Sequence, residues 1–483
     1  MRRLQAASVA LLFLCAANAQ GQKVARSDTM RLTLSEALTR ASRQGEEVLL
    51  ARSQIELAEV QIDNARSVAL PQLNANLGYV RTFASQFNTG QSFTVPDSLR
   101  FEPDSLASLP DRVKYLEDRT GGAAIGALGS LFGNLPFGQE NSYTATLSGS
   151  QLLYSGGRVG AALDAAKNLR DAASLQLSEQ LSEIELSVRN AYYRAQLAAE
   201  MANISLAAVE QAEQFLAQER LRERAGTASE LDVLRAEVEL ANLRPQLVTT
   251  ANAAEISQMD LRRLVNVPAQ QPLALVDALP LPSTEMLAPP QPPADWVENR
   301  PAVQAAERNV RIRELAVRVA KAAYLPSVSL RMNYGRTAFP GQVFQFSNEW
   351  RTDWTAALTV DFPIFDGLRR EAQIDEAQVQ HTNEQLRLAQ LRESVQLQYQ
   401  QAVGERQRAA ATITARQQTV TQAQRVHDLT VLRYDQGLAT QLEVSDARLA
   451  LLQARNNLVQ AITDFYIAEA TVARALGRST TGN

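Results

Sequence analysis

The chain has 483 residues, is 45% hydrophobic but only 6% aromatic, and carries a formal charge of −4. The length allows two or three ordinary domains or one elongated one, and the charge leaves no nucleic-acid footprint on the whole chain. Ala, Leu, Gln, Arg and Glu dominate the long segments, which points to extended helix or coiled coil.

Residues 1–19 read as a secretory signal: Arg2 and Arg3, then the short apolar run Ala7 to Cys15, then Ala17-Asn18-Ala19 as a small-residue cleavage site. Cys15 is the single cysteine, so cleavage leaves a mature chain without a disulfide. A lipoprotein reading would place a lipid on Cys15, but bulky Leu14 precedes it where a small residue is expected. No later apolar run is long enough for a transmembrane helix, while a β-barrel remains open because its signal per strand is much weaker.

Residues 31–68 predict one helix from the spacing of Leu34, Ala37, Leu38, Ala41, Val48, Leu49, Ile55, Ala58 and Ile62, with Ser35 near its start and Pro71 as its stop. The period then changes to two. Over 71–83, Leu73, Ala75, Leu77 and Tyr79 alternate with Gln72, Asn74, Asn76 and Gly78; over 142–154, Tyr143, Ala145 and Leu147 alternate with Thr144, Thr146 and Ser148. Apolar on one face, polar but uncharged on the other, and aromatic toward the ends, these runs suit a barrel strand in lipid. An ordinary half-buried antiparallel strand has the same alternation, and on these runs alone that reading is the stronger. Residues 86–140, rich in Ser, Pro, Asp and Gly, predict a long mobile loop. The segment 121–138 has a P-loop's glycine content without its Gly-Lys-Ser/Thr, which excludes phosphate binding.

Residues 158–224 form a proline-free helical pattern that would reach roughly 100 Å. Gly226 turns the chain, and a helix over 230–266 returns about 55 Å. In it Leu231, Leu234, Val238 and Ala241 have coiled-coil spacing, and Pro245 predicts a kink near residue 241. Residues 268–295 form a linker, with eight of the 18 prolines falling in 268–293. The series then repeats as helix 296–324, strands 327–335 and 352–362, helix 368–435, a turn at Gly437 and helix 441–476. The copies stand 211 positions apart: Tyr143 answers to Trp354, Gly156 to Gly367, Gly226 to Gly437, Ser229 to Thr440, and Asp232 to Glu443. Residues 20–267 are thus a first repeat and 296–483 a second. The opening helix of each repeat and the returning helix of the other, laid end to end, match one long helix, which puts the linker and both termini in a belt at the middle. One chain supplies four strands, too few for a membrane barrel with no open edge, so a barrel must be shared between chains; two, three or four chains fit this arithmetic.

The segments LTLSEALTRA (32–41), ARSVALPQL (65–73), LLYSGGR (152–158), RERAGTASELDVLRAEVELA (222–241), NRPAVQAAERNV (299–310), AKAAYLPSV (320–328), FPIFDGLRR (362–370) and LRYDQGLATQLEVSDARLAL (432–451) resemble the TolC-like outer-membrane efflux protein family, in order and in both repeats. The resemblance implies a mainly α fold with membrane β: a homotrimer with a 12-stranded β-barrel, four strands per chain, in outer-membrane lipid, continued by a long α-helical coiled-coil barrel in the periplasm. It implies an exit duct that docks with a periplasmic adaptor serving an inner-membrane pump. Loop 86–140 is longer than the family's usual first extracellular loop.

No catalytic constellation is present. His381 and His427 lie too far apart for a local zinc motif, so neither a metal nor another cofactor is expected, and an enzyme is poorly supported. Ser229 with Asp232 and Thr440 with Glu443 fit helix capping, and Gly226 and Gly437 fit left-handed turns. The resemblance adds the adaptor to these tips, namely Gly226, Thr227, Ala228 and Ser229 with Gly437, Leu438, Ala439 and Thr440. It also places Glu443 and Asp446 at a pore constriction, with Tyr434 at a further matching position. Capping does not account for Asp446, whose counterpart is Arg235; the opposite charges make Arg235 a candidate latch, and a ring of Asp446 carboxylates would attract cations. A periplasmic coiled-coil adaptor or scaffold is the alternative reading, and it predicts one helical hairpin flanked by small β domains rather than two such repeats.

Overall fold

The computed structural model describes residues 29–84, 104–118, 140–268, 270–288, 291–340 and 350–477. The expected signal segment and most of loop 86–140 lie outside them. In chain order the elements are β1 (Met30–Leu32), α1 (Leu34–Gln44), α2 (Glu46–Ser67), β2 (Gln72–Arg81), α3 (109–118), β3 (Asn141–Tyr154), α4 (Arg158–Arg224) and α5 (Glu230–Leu264). They continue as β4 (Leu273–Leu275), α6 (Thr284–Leu287), α7 (Pro301–Lys321), β5 (Ser327–Ala338), β6 (Arg351–Asp361), α8 (Arg369–Asp435) and α9 (Gln441–Ala475). Among the described residues no helix is long and apolar enough to cross a membrane.

Two compact units emerge, and each draws on both repeats. The first, Gln61–Asp164 with Leu315–Gln378, is built on an antiparallel four-stranded sheet of order β2-β3-β5-β6. Its register sets Leu73 opposite Gly149, Ala75 opposite Leu147 and Leu77 opposite Ala145. It also sets Leu147 opposite Tyr334, Leu330 opposite Leu358 and Tyr334 opposite Trp354. The apolar positions of all four strands therefore share one face, while Asn74, Thr146, Ser148, Asn333 and Thr355 share the other. Among the described residues no core covers the apolar face: Leu77 is 85% exposed, Trp354 77% and Leu358 64%. This decides against the half-buried strand of a soluble sheet, where such residues would be covered. At the far end of the sheet the chain re-enters helix through fixed bends. Gly156 has φ +63° and sits so close to Leu325 and the Ala322 carbonyl that a Cβ would clash. Arg370 is buried, donating to Asp366 at 2.9 Å and to the Pro363 carbonyl at 3.0 Å, with its guanidinium 4.6 Å from the Tyr324 ring centroid.

The second unit is Met1–Val60, Ala165–Glu314 and Val379–Asn483. Here the expectation of one helix over 31–68 is corrected. The chain breaks at Gly45, which is extended (φ −61°, ψ 131°), and α1 is capped by Thr33 with Glu36, not by Ser35. The linker also holds more structure than its prolines suggest, because β4 pairs in parallel with β1, Met30 opposite Leu273. Asp277 fixes this pair to its surroundings: its carboxylate accepts from the Leu34 amide at 2.7 Å and the Tyr192 hydroxyl at 2.9 Å. Leu32, Ala37, Val48, Val188, Tyr192, Leu261 and Val265 form the core there. Arg406 holds the rest of the linker, donating to the Met286 and Ala288 carbonyls and to Glu469.

Loop 86–140 is corrected too, since α3 occupies part of it. Ser108 precedes the helix and donates to the Asp111 carboxylate, while Leu109, Val113 and Leu116 recur at helical spacing. Pro245 lies inside α5, which runs through it without a break.

Candidate functional site

The site lies where the two hairpins α4–α5 and α8–α9 turn, in the second unit. Both turns are built alike. At the first, the Thr227 amide donates to the Arg222 carbonyl and the Gly226 amide to that of Glu223, each at 2.8 Å. At the second, Leu438 donates to Arg433 at 2.8 Å and Gly437 to Tyr434 at 3.0 Å. This bonding closes a helix with a left-handed residue, and Gly226 (φ +77°) and Gly437 (φ +69°) supply it. The next helix starts with a reciprocal cap. Asp232 donates its amide to the Ser229 hydroxyl and accepts from the Ser229 amide; Glu443 does the same with Thr440. The residue between turn and cap is Ala228 at one tip and Ala439 at the other.

Above the turns, Val209, Ala212 and Leu216 of α4 pack against Val233, Ala236 and Leu240 of α5. The coiled-coil stripe Leu231, Leu234 and Val238 is a different face. With Leu442, Leu449 and Leu452 of α9 it lines an open groove of about 500 Å³.

Near the turns, among the described residues, two polar ties join the hairpins. Tyr434, near the end of α8, is 9% exposed and donates its hydroxyl to Glu219 of α4 at 2.8 Å. Glu219 is 1% exposed and also meets Arg222 at 3.5 Å, whose guanidinium lies 4.7 Å from the Tyr434 ring centroid. Burial first, then the bond to Glu219, push the Tyr434 phenol well above its ordinary range. The second tie is Arg448 of α9, which donates to Glu239 of α5 at 2.9 Å and lies 4.8 Å from the Phe215 ring centroid.

The residues expected from sequence divide. Glu443 is engaged as a cap. Asp446 is exposed, and among the described residues no ion pair joins it to Arg235, which lines the groove. Tyr434 faces the other hairpin of its own chain. Glu219, Arg222, Phe215, Glu239 and Arg448 escaped the sequence reading. A signal did exist for three of them: at 211 positions' distance Glu219 becomes Thr430, Glu239 becomes Ala450, and Arg448 answers to Glu237. Among the described residues no acidic, His or Cys cluster could hold a metal ion.

The profile of a family described as "Outer membrane efflux protein" matches residues 119–267 and 293–478. The solvent efflux pump outer membrane protein SrpC of Pseudomonas putida is 26% identical over 262 residues, which is 52% of this chain and 53% of that protein. The chain thus spans about half the length of that relative. Among solved structures, the Campylobacter jejuni CmeC outer membrane channel aligns with a TM-score of 0.71 at 16% identity, covering 92% of this chain and 85% of that one. The outer membrane protein VceC of Vibrio cholerae aligns with a TM-score of 0.70 at 19% identity, covering 92% and 96%. These two likenesses show the fold.

Proposed function

This chain belongs to the outer membrane efflux protein family, and we propose that it forms the passive exit duct of a tripartite export system. It is an outer-membrane protein and not an enzyme. The observation that carries the reading is the sheet: one continuous apolar face, one hydroxyl- and amide-rich face, and β2 and β6 left as open edges. Edges cannot be left open in lipid. Three copies, each placing β6 beside the next copy's β2, supply a closed barrel of twelve strands, apolar to lipid and polar to a lumen. The inner-membrane pump supplies the energy and selects the cargo, small molecules or other substrates, and a periplasmic adaptor links it to the duct.

The hairpin tips make the duct's periplasmic end. Residues 226–229 and 437–440 meet the adaptor, and the Tyr434–Glu219 and Arg448–Glu239 ties keep the two hairpins of each copy together behind them. Of the two acids at the second tip, Glu443 spends its carboxylate on the cap, so Asp446 supplies the ring of charge at the entrance. Arg235 and Asp446 are both exposed and opposite in charge, so a latch between them would join neighbouring copies. The test is single-channel recording in a planar bilayer. Asp446→Ala raises conductance and removes block by divalent cations. Unchanged conductance and unchanged block overturn the entrance assignment, and absence of any channel from the unsubstituted protein overturns the duct.

A further inference from the structure

The helix α3 serves none of these roles, although its sequence is organised. Leu109, Val113 and Leu116 follow one another by four and three residues, the spacing of a coiled-coil seam. Leu109 is 76%, Val113 46% and Leu116 45% exposed. With Leu109 and Leu116 at d and Val113 at a, Arg112 takes g and Glu117 takes the e position five residues later. Those are the two places that face each other across neighbouring helices of a parallel coiled coil, and their charges are opposite. Asp118 takes f, the outermost position. Acidic residues outnumber basic ones over 104–118, which disfavours anionic lipid as the cover for this stripe.

We propose that α3 associates with the α3 helices of the other copies of this chain, as a short parallel bundle at a mouth of the barrel. The inference rests on the trimeric duct reading. Copies related by rotation about a barrel axis run in the same direction along it, so a parallel pairing is the one available to them. A twelve-stranded barrel has a radius of about 12 Å, from strands roughly 4.8 Å apart and tilted by about 40°. The connection from Arg81 to Leu106 is long enough to bring a helix some 10 Å across to the axis. Tethering offsets the weakness of so short a helix, because the partners are held at high effective concentration.

Disulfide trapping in outer membranes tests it, in a Cys15→Ser chain so that the introduced cysteine is alone. Val113→Cys forms interchain disulfides at least about tenfold faster than Asp118→Cys. Arg112→Glu slows trapping at 113, and adding Glu117→Arg restores it. Equal, slow trapping at 113 and 118 in a particle with the mass of three chains overturns the bundle and leaves the trimer standing. A monomeric mass in detergent overturns both. Charge reversal without effect on trapping overturns the register.

Discussion

Tyr434 shows how much one side chain can carry at this site. Its hydroxyl meets a carboxylate almost wholly removed from water, and a buried acceptor that loses its donor destabilises by more than the bond itself contributed. Tyr434→Phe keeps the ring against Phe215 and Arg222 but strips that donor. The expected cost is about 1–3 kcal/mol in the packing of the two hairpins, read as a lower thermal midpoint and longer open times in a bilayer; an unchanged midpoint and unchanged gating would assign the tie no weight. The pH dependence follows from the direction of the shift. A phenol raised in the folded state above its ordinary value of 10.0 contributes fully below that value and is lost as pH climbs through the raised one. The difference between wild type and Tyr434→Phe therefore stays constant between about pH 5 and pH 9, and a difference that varies in this window places the titrating group elsewhere. Little of this was legible in the sequence. Tyr434 drew notice only through the resemblance, which matches it to a further position at the constriction, and Glu219 sits amid other charged residues of α4 and looks like one more solvated acid. Only comparison of the two repeats, where a threonine stands in its place, singles it out.

At the scale of elements, legibility was high wherever local chemistry decides. The long helices α4 and α8, the caps at Ser229 and Thr440 and the turns at Gly226 and Gly437 all lie where spacing, capping residues and glycine put them. A Cβ at either turn glycine would meet no atom within 4 Å, so the constraint there is purely the sign of φ. Gly226→Ala and Gly437→Ala are each expected to cost about 1 kcal/mol. Thr440→Ala costs a similar ~1 kcal/mol through the cap. Hydrogen exchange accelerated at the tips and unchanged at the far ends of α4 and α8 would bear this out; uniform acceleration would not. Sequence reading failed where partners distant in the chain decide. The β1–β4 pair joins segments far apart in the chain, with only three residues in each strand. The break at Gly45 lies in a run whose apolar spacing continues across it. The coiled-coil spacing of Leu231, Leu234, Val238 and Ala241 does not mark the face packed on α4, because α5 buries Val233, Ala236 and Leu240 there and leaves Leu231, Leu234 and Val238 to the groove.

At the scale of the whole molecule, alternation alone could not separate a face that meets lipid from one that meets a core, because both bury apolar side chains. The structure separates them by leaving the face bare over all four strands at once. On the proposed reading this face meets lipid, and a charge placed there has to be buried in it. Leu358→Arg is expected to cost about 2–4 kcal/mol near mid-membrane and to lower the amount of protein recovered, heat-modifiable, from outer membranes. Thr359→Arg, one residue along and on the opposite face, leaves recovery unchanged. Equal loss for both would mean that the two faces do not differ in environment. The open edges at β2 and β6 have a consequence in genetics. If three chains close the barrel, as proposed, subunits mix before it is finished, so a single defective allele damages more than its own product. With normal and defective copies made in equal amounts and mixed freely, only about one duct in eight is built wholly of normal chains. Alleles that fold and assemble but cannot open should therefore be dominant over wild type, whereas alleles that never fold should be recessive.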